Sequence, residues 1–518
     1  VKMNAFLLSI SSLSCTVFAA KIAVFVLPLS NSHVLFTIRL AEELAVDHEV
    51  VIIRPSINPN SETLVSKHPK VREMRPKSIS VETYLKFEER QKPFIWNETS
   101  LSETISIGME YSAMMKEMCE NMVNDDEFVE TMKAEKFNIA LQHHIDMCSI
   151  GIIHQAGIPQ WGWVISTPLV RANMVLLGIP TLPSITPSLL VDSGNEMTFT
   201  QRLKNFGVEI LLDVLRSSVM NKYTKIFRAK FGDDFPELLE LSTQGRFALA
   251  NVHPDIEFPL PVTSKVTYFG GLGMSNETKP LEEPYASFVG NSKKTVFISF
   301  GTVADPKLMP EQYKAAFVGL FEKNPDINFI WRMNLPVEVP KNVMRGKWHP
   351  QSDLLGHEKV VAFITHAGYN SIGESIASGT PLVTVPLVGD QLRNSRLAEY
   401  RKLGTSVNKL DLSTESLHEA LHTVLNDQAY TNVAREMRSI VFSSPIKAGD
   451  ALRHSINFAL AHPNYNRDLP NLPFYQLYSL DVISVLASLF VVVIFIIWRI
   501  LKCCYWSCCK MSYKEKMN

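Results

Sequence analysis

Two rhythms of apolar and polar positions alternate along the chain. Lys21–Leu29 (KIAVFVLPL) is an almost unbroken apolar run, SNSH interrupts it, and VLFTIRLAEELAV then repeats apolar residues at helical spacing. A second apolar run follows at Glu49–Arg54 (EVVIIR). Strand, helix and strand in that order make a βαβ unit, the start of a parallel sheet. Further strands are expected at Lys136–Gln142 (KFNIALQ) and Ile158–Ile165 (IPQWGWVI) with a helix between them, then a long helix from about Thr200 to Lys230. Residues 56–135 are less regular. Their methionine-rich stretch, MEYSAMMKEMCENM, reads as core filler, with a pliable acceptor pocket as the alternative.

The pattern then lapses into SNETKPLEEPYASFVGNSKK, polar and proline-bearing, which reads as a linker over 276–290. A second series follows. KKTVFISFGT (Lys293–Thr302), INFIWRM, VVAFIT and PLVTVP are expected strands, with helices near 310–323 and after HAG. The chain is therefore α/β, with two Rossmann-like lobes over 21–275 and 291–445 facing across a cleft. Ligand is expected at the carboxyl ends of strands in both. Residues 446–478 read as a helical return and membrane-proximal segment.

Both ends of the chain are apolar in a different way. Residues 1–20 carry a lysine and then an apolar stretch with few interruptions, with Val17 and Ala19 placed for cleavage, as in a secretory signal peptide; an N-terminal anchor or a buried strand are the alternatives. Val482–Trp498 is nearly uninterrupted, and a span over 479–501 would cross a bilayer. Arg499, Lys502, Lys510, Lys514 and Lys516 all follow it, so the tail, 502–518, is expected in the cytosol and the large body in the lumen. The closing KEKMN resembles the dilysine retrieval signal of type I endoplasmic reticulum proteins.

Net charge is -1 and the pI about 7.0, so nothing points to nucleic acid. Of seven cysteines only Cys119 and Cys148 fall in the lumenal body, which excludes a disulfide framework and leaves their pairing open. Asn97 and Asn276 begin N-glycosylation sequons.

Candidate chemistry concentrates at THAGYNSIGES (Thr365–Ser375). A strand runs into His366-Ala367-Gly368, and a helix begins at Tyr369. The unpaired amides of its first turn make an anion site. Gly368 lets backbone approach a ligand, Ser371 adds a hydroxyl, and Asn370 and Glu374 follow along the helix. A metal centre is the weaker reading, since this cluster lacks H-E-x-x-H spacing and the lumenal chain has no D-x-D pair. A turn merely capped by His366 and Asn370 is the other.

The wider segment Trp348–Asn394 resembles the signature of UDP-glycosyltransferases, most closely the membrane-bound UDP-glucuronosyltransferases of animals. Its elements are W-x-P-Q, D-L-L-G-H, F-I-T-H-A-G, Asn-Ser-x-x-Glu and G-x-P-L-V-x-x-P followed by D-Q. The resemblance implies the GT-B arrangement of two lobes and a UDP-sugar co-substrate, with no cofactor and no metal. It places Trp348 on uracil, Gln351 on base or ribose, and Glu374 on the ribose hydroxyls. His366, Gly368, Asn370 and Ser371 would hold the diphosphate with the loop Ser299, Gly301 and Thr302, and Asp390 and Gln391 the sugar. Asp390 and Gln391 sit in a loop with no packing need for either, whereas Trp348 is the one most easily explained as core.

The resemblance also places the catalytic base at His33, at the start of the first helix. There protonation is disfavoured, which suits a general base. The position that best matches the family's orienting aspartate is His143, so either Asp146, three residues on, is the carboxylate that serves, or the dyad is altered. Paired His143-His144 lack the further ligands a metal would need. The implied reaction is an inverting, metal-independent transfer of glucuronate from UDP-glucuronate to a hydroxyl of a small lipophilic acceptor. UDP-glucose as donor, or a silent UDP-sugar-binding membrane protein, are the alternatives. Partners are the bilayer and, in some form, a homo- or hetero-oligomer.

Overall fold

Seven parallel strands build the first sheet: β1 (Lys21–Phe25), β2 (Glu49–Ile53), β3 (Val71–Met74), β4 (Ile139–His143), β5 (Trp161–Ile165), β6 (Ala248–Ala250) and β7 (Val266–Tyr268). Their order is β3-β2-β1-β4-β5-β6-β7. Six more, β8 (Lys294–Ser299), β9 (Ile327–Arg332), β10 (Val343–Gly346), β11 (Val360–Thr365), β12 (Leu382–Thr384) and β13 (Gly404–Ser406), form a second parallel sheet ordered β10-β9-β8-β11-β12-β13. This computed structural model describes residues 19–515 except Thr99, Asn276, Val303, Asn466 and Asn471. The expected signal segment up to residue 18, the sequon at Asn276 and the final lysine, Lys516, therefore lie outside the described residues.

Parallel strands covered on both faces read as continuous apolar runs, which is why these were visible in the sequence. Successive side chains still point to opposite faces. In β1, Ala23 and Phe25 enter one core while Ile22 and Val24 enter the other. In β8, Val296 and Ile298 are divided from Phe297 in the same way.

The helices that matter here are α1 (Asn31–Leu44), α2 (Leu101–Val123), α3 (Ser149–Gln155), α4 (Phe199–Phe231), α5 (Gln351–Leu355), α6 (Tyr369–Ser378), α7 (Gln391–Tyr400) and α8 (Ala448–Ala461). Reciprocal capping boxes start α2 at Ser100 with Glu103 and α4 at Thr198 with Gln201. Met114, Met115, Met118 and Met122 of α2 are buried, as filler of the core. Cys119 and Cys148 form a disulfide that ties α2 to the residue before α3.

One expectation changes. The segment 276–290 is no bare linker: it holds a short helix, Tyr285–Gly290, and the Tyr285 hydroxyl lies 3.0 Å from His349 Nδ1. After the second sheet, α8 returns to the first. Arg453 pairs with Glu43 of α1, and Asn457 Oδ1 lies 2.9 Å from His48 Nε2.

The chain divides into a compact unit ending at Arg467 and another beginning at Asp468. The latter contains α9 (Leu480–Glu515), whose portion Leu480–Trp506 includes an 18-residue stretch with a mean hydropathy of 2.9. At 1.5 Å per residue that portion is about 40 Å long, enough to cross a membrane. The helix does not stop at 501 but continues to Glu515.

Candidate active site

Strand order reverses once in each sheet, between β1 and β4 in the first and between β8 and β11 in the second. Neighbouring connections diverge at such a point and leave a crevice beyond the strand ends. His33 stands beyond β1 at the first point and the Ser299 and His366 loops meet at the second, while Trp348 follows the edge strand β10 and Asp390 follows β12.

In the second sheet, β8 and β11 pair so that Ser299 faces Thr365, which brings the loops Phe300–Thr302 and His366–Gly368 side by side. The His366 ring is enclosed by glycines. A Cβ at Gly301 would come within 2.8 Å of it and one at Gly368 within 2.7 Å. Ala367 between them has φ 64, a strained value for a side-chain-bearing residue. Burial holds the His366 pKa down to about 4, aided by the nearby Arg332 guanidinium. The imidazole is therefore neutral at physiological pH. Adding a methyl at Gly301 (Gly301→Ala) should displace it and raise the donor KM roughly tenfold, about 1.4 kcal/mol, with folding retained by circular dichroism.

The first turn of α6 has no acidic residue and no side-chain cap, so its amides remain available. Ser371 is buried in that turn and Asn370 exposed. Glu374 meets Gln351 directly and accepts from Ser352 Oγ at 3.2 Å. Burial raises its pKa against those bonds. Trp348 is 72% exposed, which removes the packing explanation for it. Its ring carries the Arg332 guanidinium at 5.2 Å. Thr302 is exposed on the same loop as Gly301.

The loop holding Asp390 and Gln391 proves to have structural need of both. Gln391 Oε1 accepts from the backbone N–H groups of Leu387 at 2.9 Å and Val388 at 3.1 Å. Asp390 Oδ2 accepts from Asn394 Nδ2 at 2.8 Å, and that amide also donates to the Ala367 carbonyl at 3.1 Å. Asn394 thus couples the start of α7 to the His366 loop. It was missed, although its place four residues after Asp390 on a helix was a usable signal. Arg332, at the end of INFIWRM, was missed as well. Its Nη1 donates to the Gly301 carbonyl at 2.5 Å, and it is a cation between Trp348 and His366.

In the first sheet, His33 lies in the first turn of α1, beyond β1. Its Nδ1 is buried without a hydrogen-bonding partner. Desolvation lowers its pKa, against a smaller opposing pull from the Leu27 backbone. The expected pairing with Asp146 is not found. Asp146 Oδ1 accepts from the Cys148 N–H at 2.9 Å, and Oδ2 takes the Ser149 hydroxyl, so the carboxylate caps the turn into α3. Burial raises its pKa against these bonds.

The ring beside His33 is His143, at the end of β4, with centroids 5.2 Å apart. His143 Nδ1 accepts from the Ile145 N–H at 3.4 Å, leaving Nε2 to donate to Ser166 Oγ at 3.0 Å. Both nitrogens are thus occupied away from His33. Burial, and then the neighbouring imidazoles, hold His143 well below the ordinary value. His144, 4.8 Å beyond, is driven by burial to about 3. Three uncharged imidazoles in a row replace an imidazole–carboxylate pair. Among the described residues no group of three His, Cys, Asp or Glu is placed to hold a metal.

Two parallel sheets, each with its helices, and a strand–loop–helix turn at the switch point of the second define the GT-B fold of glycosyltransferases. The crystal structure of the glycotransferase of kitacinnamycin shares this fold, with a TM-score of 0.58 at 15% identity over 85% of this chain and 98% of that one. The chain belongs to the UDP-glucoronosyl and UDP-glucosyl transferase family, whose model matches residues 22–515. It is 29% identical over 500 residues to ugt-48 of Caenorhabditis elegans, covering 93% of this chain and 94% of that protein. It is 26% identical over 508 residues to human UDP-glucuronosyltransferase 1A3, covering 95% and 91%.

Proposed function

We propose that this glycosyltransferase moves glucuronate from UDP-glucuronate to a hydroxyl of a small lipophilic acceptor, with inversion and without a metal. The observation that carries the donor half is the exposed Trp348, three residues before Gln351, whose amide pairs with Glu374. A flat aromatic face suits uracil, and a carboxylate already aligned by an amide suits vicinal hydroxyls. His366, Ser371 and the α6 amides take the diphosphate. Asn370, Thr302 and Ser299 stand around them, and Asp390 reaches the sugar. Arg332 adds fixed positive charge where the leaving UDP gathers negative charge, a large term in such reactions. His33 removes the acceptor proton. The choice of glucuronate over glucose rests on the names of relatives at 26–29% identity.

The disulfide between Cys119 and Cys148 fits an oxidising compartment and supports a lumenal body, with α9 as the span and the basic tail in the cytosol. Asn97 is exposed, as a glycosylated residue must be.

Microsomes containing the chain should release UDP from UDP-glucuronate in the presence of a phenol. Faster turnover of UDP-glucose would replace the donor assignment. Binding of UDP with release from neither donor, over a panel of phenols, would refute transfer. Trp348→Ala should raise the donor KM about tenfold with little change in kcat, since a stacked base is held about equally in ground and transition states.

A further inference from the structure

We infer that residues 81–97 form a strut holding the base and the donor in register, with Tyr84, Trp96 and Lys409 as its positioning residues. The strut consists of a helix, Val81–Gln91, and a second, shorter one, Pro93–Trp96. Lys92 between them keeps helical dihedrals, φ -51 and ψ -42, and its N–H still reaches the Glu88 carbonyl at 2.9 Å. Ser80 caps the start by accepting from the Thr83 N–H at 3.1 Å. Near that end the buried Tyr84 hydroxyl donates to the Leu29 carbonyl at 3.1 Å, and Asn58 Nδ2 donates to the same oxygen at 3.2 Å. Leu29 lies in the loop between β1 and α1, four residues before His33. The strut thus begins against the loop that delivers the proposed base.

Its other end enters the second lobe. Ile95 and Trp96 are 4% and 1% exposed, and both belong to the second sheet's core, with Phe300 and Ala304. Trp96 Nε1 donates to the Asp305 carbonyl at 3.0 Å, and its ring meets Phe300 edge-on with centroids 5.4 Å apart. Phe300 and Asp305 flank Gly301 and Thr302, the pair assigned to the diphosphate. Lys409 completes the joint. Its Nζ donates to the carbonyls of Ile95 at 3.2 Å, Asn97 at 2.9 Å and Leu387 at 3.0 Å, which occupies all three N–H groups. The first two are carbonyls at the strut's end, where helical partners run out. The Leu387 N–H is in turn held by Gln391, in the loop assigned to the sugar.

One element of the first lobe therefore touches the base loop and both donor loops. Transfer requires the acceptor oxygen, the anomeric carbon and the leaving phosphate to be aligned across two lobes, and small misplacements are costly. A close-packed indole and a fully bonded ammonium hold that spacing far better than a wet surface contact would. The strut's role rests on the proposed assignment of these loops to a UDP-sugar. Uracil and ribose are assigned to Trp348, Gln351 and Glu374, and among the described residues neither Trp96 nor Lys409 hydrogen-bonds to any of these.

The test compares single variants of the full chain in microsomes. Trp96→Phe keeps most of the packing and removes the N–H. Lys409→Met, at a half-buried position, keeps the stem and removes the donors. Each should raise the UDP-glucuronate KM and the UDP inhibition constant, by about fivefold for Trp96→Phe and about tenfold for Lys409→Met, where the bonds are charged. The inhibition constant of uridine should not move. A chain that is merely destabilised loses active enzyme, which lowers the apparent kcat and leaves every inhibition constant alone. Tyr84→Phe should lower kcat about fivefold by itself, and much less when added to Trp96→Phe, because a strut already loose at one end transmits nothing to the other. Unchanged UDP inhibition in both Trp96→Phe and Lys409→Met, or uridine weakened by the same factor, would overturn the inference. So would independent, multiplying losses in the Tyr84→Phe, Trp96→Phe double variant. A parent chain inhibited by neither UDP nor uridine would overturn the donor-site reading, and the strut with it.

Discussion

His33→Ala should lower kcat by roughly a hundred- to ten-thousand-fold while leaving the affinity for UDP unchanged, as measured by steady-state transfer and by calorimetric titration with UDP. General-base catalysis is worth that range. The split between kcat and affinity follows from the architecture. His33 stands beyond β1 at the switch point of the first sheet, whereas every residue assigned to the nucleotide stands in the second. Removing the imidazole deletes the proton acceptor and leaves the His366 loop, α6 and Trp348 intact. Loss of UDP binding with kcat would mean that His33 acts through structure. Unchanged turnover would assign the proton to another group, and the neutral His144 would be the next to replace.

What was legible in the sequence follows from how far each signal reaches along the chain. The apolar runs of β1, β2, β8 and β11 stand out because strands buried on both faces carry no polar alternation to blur them. Short edge strands do not. β3 is VREM, only partly buried, and β10 is VMRG, so nothing in either composition marks a strand before its neighbour pairs with it. The cradle around His366 was legible because strand, loop and helix are consecutive. Its supports were not, since Arg332 and Asn394 reach the loop only through the sheet and through α7. Asp146 failed for the opposite reason. It lies three residues from His143 in sequence, yet the turn into α3 aims it at its own backbone. Proximity along the chain said nothing about direction.

His143→Asp should move the acid limb of the kcat/KM profile upward by about one to three pH units, worth about 1.4–4 kcal/mol. The sign follows from the charge. His33 acts as a base only when neutral, and burial now keeps its pKa below the ordinary value with no carboxylate in contact to favour the imidazolium. A carboxylate at position 143 would favour the protonated ring, so a higher pH would be needed to free the base. The same interaction stabilises the imidazolium that forms as the acceptor proton arrives, so turnover on the plateau should rise. The site can receive that charge. The Ile145 N–H and the Ser166 hydroxyl, which now hold the imidazole, would both donate to the carboxylate and keep it ionised. The gain should be greatest for acceptors whose hydroxyls are weak acids, because these depend most on the base, and least for acidic phenols. A series of substituted phenols and an alkyl alcohol, assayed across pH with both chains, separates the outcomes. A profile that stays in place while the variant folds normally would show that the ring at 143 does not set the basicity of His33. A plateau that falls for every acceptor would show that the neutral imidazole row is itself the working arrangement.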